Sequence, residues 1–280
     1  MRAPSRYKTI AVATTFSPRF RHVLAEAKRM RDRFSADLHL IHVGRRNEET
    51  AKKFSDALAQ LQLPPDAAIH YEQGDPPEAI LCALAREQID MVIAGALEKE
   101  VVLHPFLGVV ARRLVKEAPC SVMLFTRPEL EPRALRRIVF IADGSEYALQ
   151  ALKIVLRFAE AEPCERLYVI AISTAFDEAR ASIRGDAVAG RTREAKDEAE
   201  EALENFVLAA GATHVPIETR SNRDALDSRR YRAGRVRFCP VGGSGFTCSA
   251  TSESCRGDTA ATTKQYRLDN GCYSVQSLGD

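Results

Sequence analysis

The sequence predicts an α/β fold: an open parallel sheet with helices on both faces, laid down twice in tandem with the second copy incomplete. Three observations carry this. Lys8-Thr-Ile-Ala-Val-Ala-Thr-Thr-Phe-Ser17 returns as Arg136-Arg-Ile-Val-Phe-Ile-Ala-Asp-Gly-Ser145, with Ile10 to Ile138 and Ser17 to Ser145 both 128 positions apart. That period is far longer than a solenoid repeat, so each copy is expected to be a domain with its own core. Within the first copy, short β-branched runs alternate with segments of helical period, a pattern that demands right-handed crossovers between parallel strands. The length of 280 residues suits about two domains of roughly 100–200 residues each.

The elements of the first copy follow in order. Residues Thr9 to Thr14 form a short apolar run of the kind covered on both faces of a parallel sheet. Ser17 offers an N-cap and Pro18 a first-turn proline, so a helix is expected to begin there. Phe20, Val23, Leu24, Ala27, Met30 and Phe34 make its apolar stripe, while Arg19, Lys28, Arg29 and Arg33 fall largely away from it. Leu38 to Val43 is the second strand; His39 and His42 in it differ by an odd number, point to opposite faces and argue against one shared metal.

A polar amphipathic segment, about Glu48 to Leu61, ends before Pro64-Pro65, and Ala68 to Glu72 is strand three. Gly74-Asp-Pro-Pro-Glu-Ala-Ile-Leu81 then opens a helix in which Asp75 can cap and Ile80, Leu81, Leu84 and Ala85 face inward. Ile89 to Gly95 is strand four, Val109 to Glu117 helix four and Pro119 to Phe125 strand five.

The second copy begins as the first does. Its helix one buries Ala148, Leu149, Leu152, Val155, Leu156 and Phe158, and Leu167 to Ile172 is its strand two. Arg191 to Ala210 is a charge-rich helix with Leu203, Phe206 and Val207 as core contacts, and Val215 to Thr219 is strand three. After about Arg220 the periodicity stops. The remainder is basic at first and then rich in Gly, Ser, Thr and Cys, with no period long enough to complete the sheet. The expected divisions are therefore 1–130, 131–220 and a poorly ordered tail, 221–280, whose absence from the sheet leaves an edge open to association. Permitted codons for Tyr231 to Val241, read one base later, give IAQAESDFVL, which resembles a helix end followed by a strand; a frameshifted tail is the favoured origin.

Composition is that of an ordinary globular chain. No apolar stretch approaches the roughly 20 residues of a membrane span, and no apolar signal region precedes the first strand, so a cytoplasmic location is expected. A formal charge of +2 supplies no field for nucleic acid, and Arg45-Arg46 and Arg112-Arg113 read as solvated faces. Cys82, Cys120 and Cys164 read as buried, inert thiols; Cys239, Cys248, Cys255 and Cys272 match neither zinc nor redox spacing, and no metal site is assigned.

Gly74-Asp-Pro-Pro-Glu-Ala-Ile-Leu, Ile89-Asp-Met-Val-Ile-Ala-Gly and Ala118-Pro-Cys-Ser-Val-Met-Leu, in that order and spacing, resemble a universal stress protein domain over about residues 6 to 126, beginning again at about 135. The resemblance implies a five-stranded sheet of order 3-2-1-4-5, dimer-like pairing of domains through the edge strand and, in one branch, ATP or AMP at the strand C-termini, where open α/β sheets place ligands. In that branch the phosphates lie in a loop of two spaced glycines followed by a Gly-Ser or Gly-Thr that opens helix four, because glycines let backbone amides approach an anion and the hydroxyl adds a donor. The matching positions here are Gly95, Glu98, Gly108 and Val109.

The spacing is kept, but one glycine has become a carboxylate and the hydroxyl an isopropyl group. A like-charge pair at about 4 Å costs several kcal/mol even at an effective dielectric near 20. The carboxylate that the family sets after strand one falls at Thr15, a third departure. The expected pocket near Thr14, Thr15, Val43, Gly95 and Gly108 is therefore degenerate for ATP. His104 lies in the loop over it. In the second copy Asp143, followed by Gly144 and Ser145, stands where the adenosine-contacting carboxylate is expected, but no phosphate loop follows; Gly242-Gly-Ser-Gly245 lacks the strand before and helix after that such a loop needs.

Two functions are weighed: a non-enzymatic stress-response module acting through a protein partner or self-association, and an adenine-nucleotide-binding protein with weak ATPase activity. No P-loop, Gly-x-Ser-x-Gly elbow, HExxH helix or Gly-x-Gly-x-x-Gly is present to support another enzyme.

Overall fold

The computed structural model describes residues 7–95, 108–171, 191–221, 236–239 and 275–277. The first half runs β1 (Thr9–Thr14), α1 (Phe20–Phe34), β2 (Asp37–Val43), α2 (Glu48–Gln60), β3 (Ala68–Glu72), α3 (Pro76–Arg86), β4 (Met91–Gly95), α4 (Val109–Glu117) and β5 (Ser121–Phe125). The second half contributes β6 (Arg137–Ala142), α5 (Glu146–Ala161), β7 (Arg166–Ala171), α6 (Arg191–Ala210) and β8 (Ile217–Ser221), followed by β9 (Val236–Cys239) and β10 (Val275–Ser277).

All ten strands join one sheet of order β3-β2-β1-β4-β5-β9-β10-β6-β7-β8. The first five are parallel in the expected order 3-2-1-4-5. Strands β6, β7 and β8 are likewise parallel to one another. Between the two sets, β9 is antiparallel to β5 and to β10, and β10 is antiparallel to β6. Three reversals in a row set β6 opposite in direction to β1, so the C-terminal strand ends of the two halves point to opposite ends of the sheet.

One expectation about the sheet is corrected here. The tail does enter the sheet: Val236–Cys239 and Val275–Ser277 are short enough to escape a periodicity test, yet backbone pairing alone covers the flanks of β5 and β6.

Side chains sort by strand alternation onto two faces. Ile10, Val12, Leu40, Ile93, Phe125, Phe140 and Val169 belong to a core shared by both halves, closed by α1, α2, α5 and α6. Ala11, Ile41, Val92, Ala94, Val122 and Leu124 face α3 and α4. The halves meet at α1 and α5, where the rings of Phe34 and Phe158 lie 5.7 Å apart and Arg29 Nη1 donates to Glu162 Oε1 at 2.5 Å. Both Glu162 and Glu26, which sits 3.5 Å from Arg29 Nε, are fully buried. A charge removed from water this completely needs its partner, and loss of the cation leaves two buried carboxylates without it.

Element ends differ from expectation where hydrogen bonds decide them. Strand β4 starts at Met91 rather than Ile89, because Ile89 N–H still donates to Leu84 O while Asp90 N–H turns to Thr9 O. Strand β8 starts at Ile217 rather than Val215, since Val215 N–H goes to Thr213 Oγ1. On α3, Ile80 and Leu84 are buried as expected, but Ala85 is exposed and Ala83 takes the inward place. Cys120 is buried and its thiol is pushed up to about 12 by burial, and Cys164 to about 11 for the same reason; Cys82, by contrast, faces solvent.

Asp90 ties the start of β1 to β4. Its Oδ2 accepts from Lys8 N–H at 2.7 Å, Thr9 N–H at 3.0 Å and Thr9 Oγ1 at 3.2 Å. Hydrogen bonds to a charged group contribute about 1.5–3 kcal/mol each, net of exchange with water, and less where the pair is part-exposed. Replacing Asp90 with alanine is expected to lower stability by about 2–3 kcal/mol, read as a fall in the urea midpoint with an unchanged slope.

Candidate functional site

In an open sheet the crevice forms where successive crossovers leave in opposite directions, which here is at the C-terminal ends of β1 and β4. The pairs Ile10↔Met91 and Val12↔Ile93 set this register, and Thr14 and Gly95 are the last residues of the two strands beyond it. Thr14 is opposite His42, one residue before Val43, and Gly95 is opposite Phe125. The strand-end residues named from sequence, Thr14, Thr15, Val43 and Gly95, thus occupy one end of the sheet. Gly108 and Val109 open α4, which follows β4 in the chain.

Each of these positions has a local account. Thr14 is buried and its Oγ1 donates to Ile41 O at 3.1 Å, so the hydroxyl serves the β1–β2 joint. Thr15 is exposed, and its carbonyl accepts from Ser17 N–H at 2.7 Å. Gly95 is tight: a Cβ there meets Val23 Cγ2 at 3.1 Å, so this glycine lets α1 lie close to the end of β4. Gly108 caps α4 with φ −59° and ψ 160°, without a side-chain hydrogen bond, and among the described residues no atom lies within 4 Å of where a Cβ would stand. Val109 is 71% exposed, an isopropyl group held in water at the first turn of the helix. Glu98 and His104 lie outside the described residues, as does Gly242-Gly-Ser-Gly245.

Asp143 and Ser145 sit at the strand ends of the second half, on the far end of the sheet. Asp143 Oδ1 accepts from Ser145 N–H at 3.0 Å, while Ser145 caps α5 by accepting from Ala148 N–H at 3.1 Å. The carboxylate is engaged in its own turn, a role that asparagine and aspartate take after strands.

Ser17 does not cap α1. The helix begins three residues later, at Phe20, and Ser17 contributes its carbonyl to Phe20 N–H at 2.9 Å across a turn. Asp75 likewise starts α3 through its carbonyl, with its carboxylate 3.4 Å from Arg113 Nη1.

Two residues escaped the sequence reading. Arg19, read as falling largely away from the apolar stripe of α1, donates from the start of that helix to Thr126 O at 3.1 Å, just past β5. It therefore ties α1 to the C-terminal end of β5, the neighbour of β4 in the sheet. His42 stands among Phe16 at 4.8 Å, Phe54 at 5.7 Å and Tyr71 at 6.0 Å, and burial pulls its pKa below the ordinary histidine value. His39, one strand face away, turns instead toward His70. The alternation in Leu38-His-Leu-Ile-His-Val43 signals both orientations; nothing in the sequence marks Arg19.

A groove of about 490 Å³ is found elsewhere, between α1, the end of α2 and the connection between the halves, lined by Lys28, Arg29, Arg33, Gln60 and Leu130. Among the described residues no helix is long and apolar enough to cross a membrane.

The family model for the universal stress protein family matches residues 6–126. A universal stress protein of Thermus aquaticus, encoded in the 3' region of a QAH/OAS sulfhydrylase, is 30% identical over 135 residues, 42% of this chain and 98% of its own length. Among solved structures, a functionally unknown protein from Pseudomonas aeruginosa PAO1 superposes with a TM-score of 0.56 at 16% identity, over 80% of this chain and 77% of its own. A universal stress protein from Archaeoglobus fulgidus DSM 4304 gives a TM-score of 0.51 at 16% identity, over 80% and 83%. These two likenesses extend the shared fold beyond residue 126.

The two serines give a contrast at equivalent positions. Ser145→Ala is expected to cost about 1 kcal/mol through loss of the α5 cap, and Ser17→Ala less than about 0.5 kcal/mol, both measured as shifts in the chemical denaturation midpoint.

Proposed function

We propose, because this chain belongs to the universal stress protein family, that it acts as a stress-response regulatory module through protein contacts, with an adenine-nucleotide pocket that no longer grips a triphosphate. The observation that carries this reading is the start of α4. Gly108 keeps the open backbone that an anion cradle needs, yet Val109, where the resemblance calls for a hydroxyl, presents an exposed isopropyl group. Glu98, at the place of a cradle glycine, adds a charge of the wrong sign.

Arg19 is the opposing feature, since it brings a cation to the strand ends. One guanidinium already bonded to Thr126 O offsets one carboxylate at best, and does not replace the lost hydroxyl donor. The second reading, an ATP- or AMP-binding protein with weak ATPase activity, is favoured by Asp143 alone. That carboxylate is occupied in its turn, and it lies at the opposite end of the sheet from Gly95 and Gly108. It cannot complete the first pocket. The tandem arrangement of two family domains, 1–130 and 131–220, belongs to the same proposal and rests on the shared order of β1-α1-β2 and β6-α5-β7.

Freshly purified full-length chain, denatured to release small molecules, is expected to yield less than about one-tenth of an equivalent of adenine nucleotide by mass spectrometry, as a dissociation constant far weaker than micromolar requires during purification. Near-stoichiometric ATP or AMP from folded protein overturns the proposal in favour of the nucleotide-binding reading.

A further inference from the structure

We propose that His39, His70 and Glu87 form a binding site for one divalent transition-metal ion of the imidazole-preferring class, at the edge of the sheet and away from the strand-end crevice. The three residues come from three elements. His39 is on β2, His70 on the edge strand β3 and Glu87 at the C-cap of α3. Parallel pairing places His70 opposite Ile41, two residues along from His39, so both imidazoles project from the same face of neighbouring strands. The chain then returns along α3 and delivers Glu87 to that face.

The two imidazoles already converge. His39 Nδ1 and His70 Nε2 meet head to head at 3.0 Å, with ring planes within 1° and centroids 5.2 Å apart, and Glu87 Oε1 lies 3.5 Å from His70 Nδ1. A turn of the rings from this hydrogen-bonded arrangement points both nitrogen lone pairs at one ion. One donor atom from each of the three residues lies within 4.8 Å of the others, and the site is half-buried, leaving room for water on the open side.

The surroundings hold the carboxylate in place. Arg86 Nε donates to Glu87 Oε1 at 2.8 Å. The same guanidinium donates to Glu72 Oε1 at 2.6 Å, fixing the carboxylate from outside as metal sites generally do. Two imidazoles and one carboxylate suit nickel, copper or zinc rather than magnesium or calcium, which prefer oxygen throughout.

Nickel(II) is the probe for the test, with the full chain kept reduced. Isothermal titration is expected to show one equivalent bound with micromolar affinity, weakened at least about 100-fold in H39Q/H70Q. The wild-type chain provides a readout independent of any variant: substoichiometric nickel is expected to broaden the His39 and His70 ring resonances before those of His22, His104 and His214. Binding of the same equivalent by H39Q/H70Q, or first broadening at the other histidines, or no equivalent tighter than about 100 μM, overturns the proposal.

Discussion

The register of β1 against β4 is the constraint on which the rest of the structure depends. Only three residue pairs define it, and Asp90 fixes it at the N-terminal end by accepting from the backbone of Lys8 and Thr9. Every position at the crevice inherits that alignment. Thr14 and Gly95 end their strands on the same side of the sheet because Ile10 stands beside Met91, and α1 approaches the strand ends as closely as it does because Gly95 has no side chain against Val23. A slip by one residue would turn Val12 and Ile93 from the shared core toward the other face.

The second half is bound to the first by packing as well as by strands. Phe34 meets Phe158, and Arg29 is held between Glu26 and Glu162 at a place where both carboxylates are fully buried. Such an arrangement adds less to stability than its short distance suggests, since desolvation offsets much of the attraction, but it tolerates no missing partner. Its consequence for function is orientational. With β6 running against β1, the turn that carries Asp143 is at the far end of the sheet, and the two halves offer two separate sets of strand ends.

Elements whose side chains alternate or recur on one face were legible in sequence. The apolar stripe of α1, from Phe20 to Phe34, is buried as its spacing requires, and the strand order of the first half follows from its crossovers and the family resemblance. What was not legible depended on backbone hydrogen bonding or distance in the chain. Ser17 and Ser145 occupy equivalent positions, yet only Ser145 caps its helix, because a turn through Pro18 and Arg19 delays α1. Strands β9 and β10 are too short to show a period and are recruited by the exposed flanks of β5 and β6. Arg19 reads as a surface residue until the position of Thr126 is known, and His39 and His70 come together only through the β2–β3 register.

The central proposal is that the strand-end crevice, with Glu98 and Val109 where the family resemblance calls for a glycine and a hydroxyl, rejects a triphosphate. Titration of magnesium ATP into ligand-free full-length chain tests it most directly. No saturable binding tighter than about 100 μM is expected, whereas a dissociation constant below about 10 μM contradicts the account.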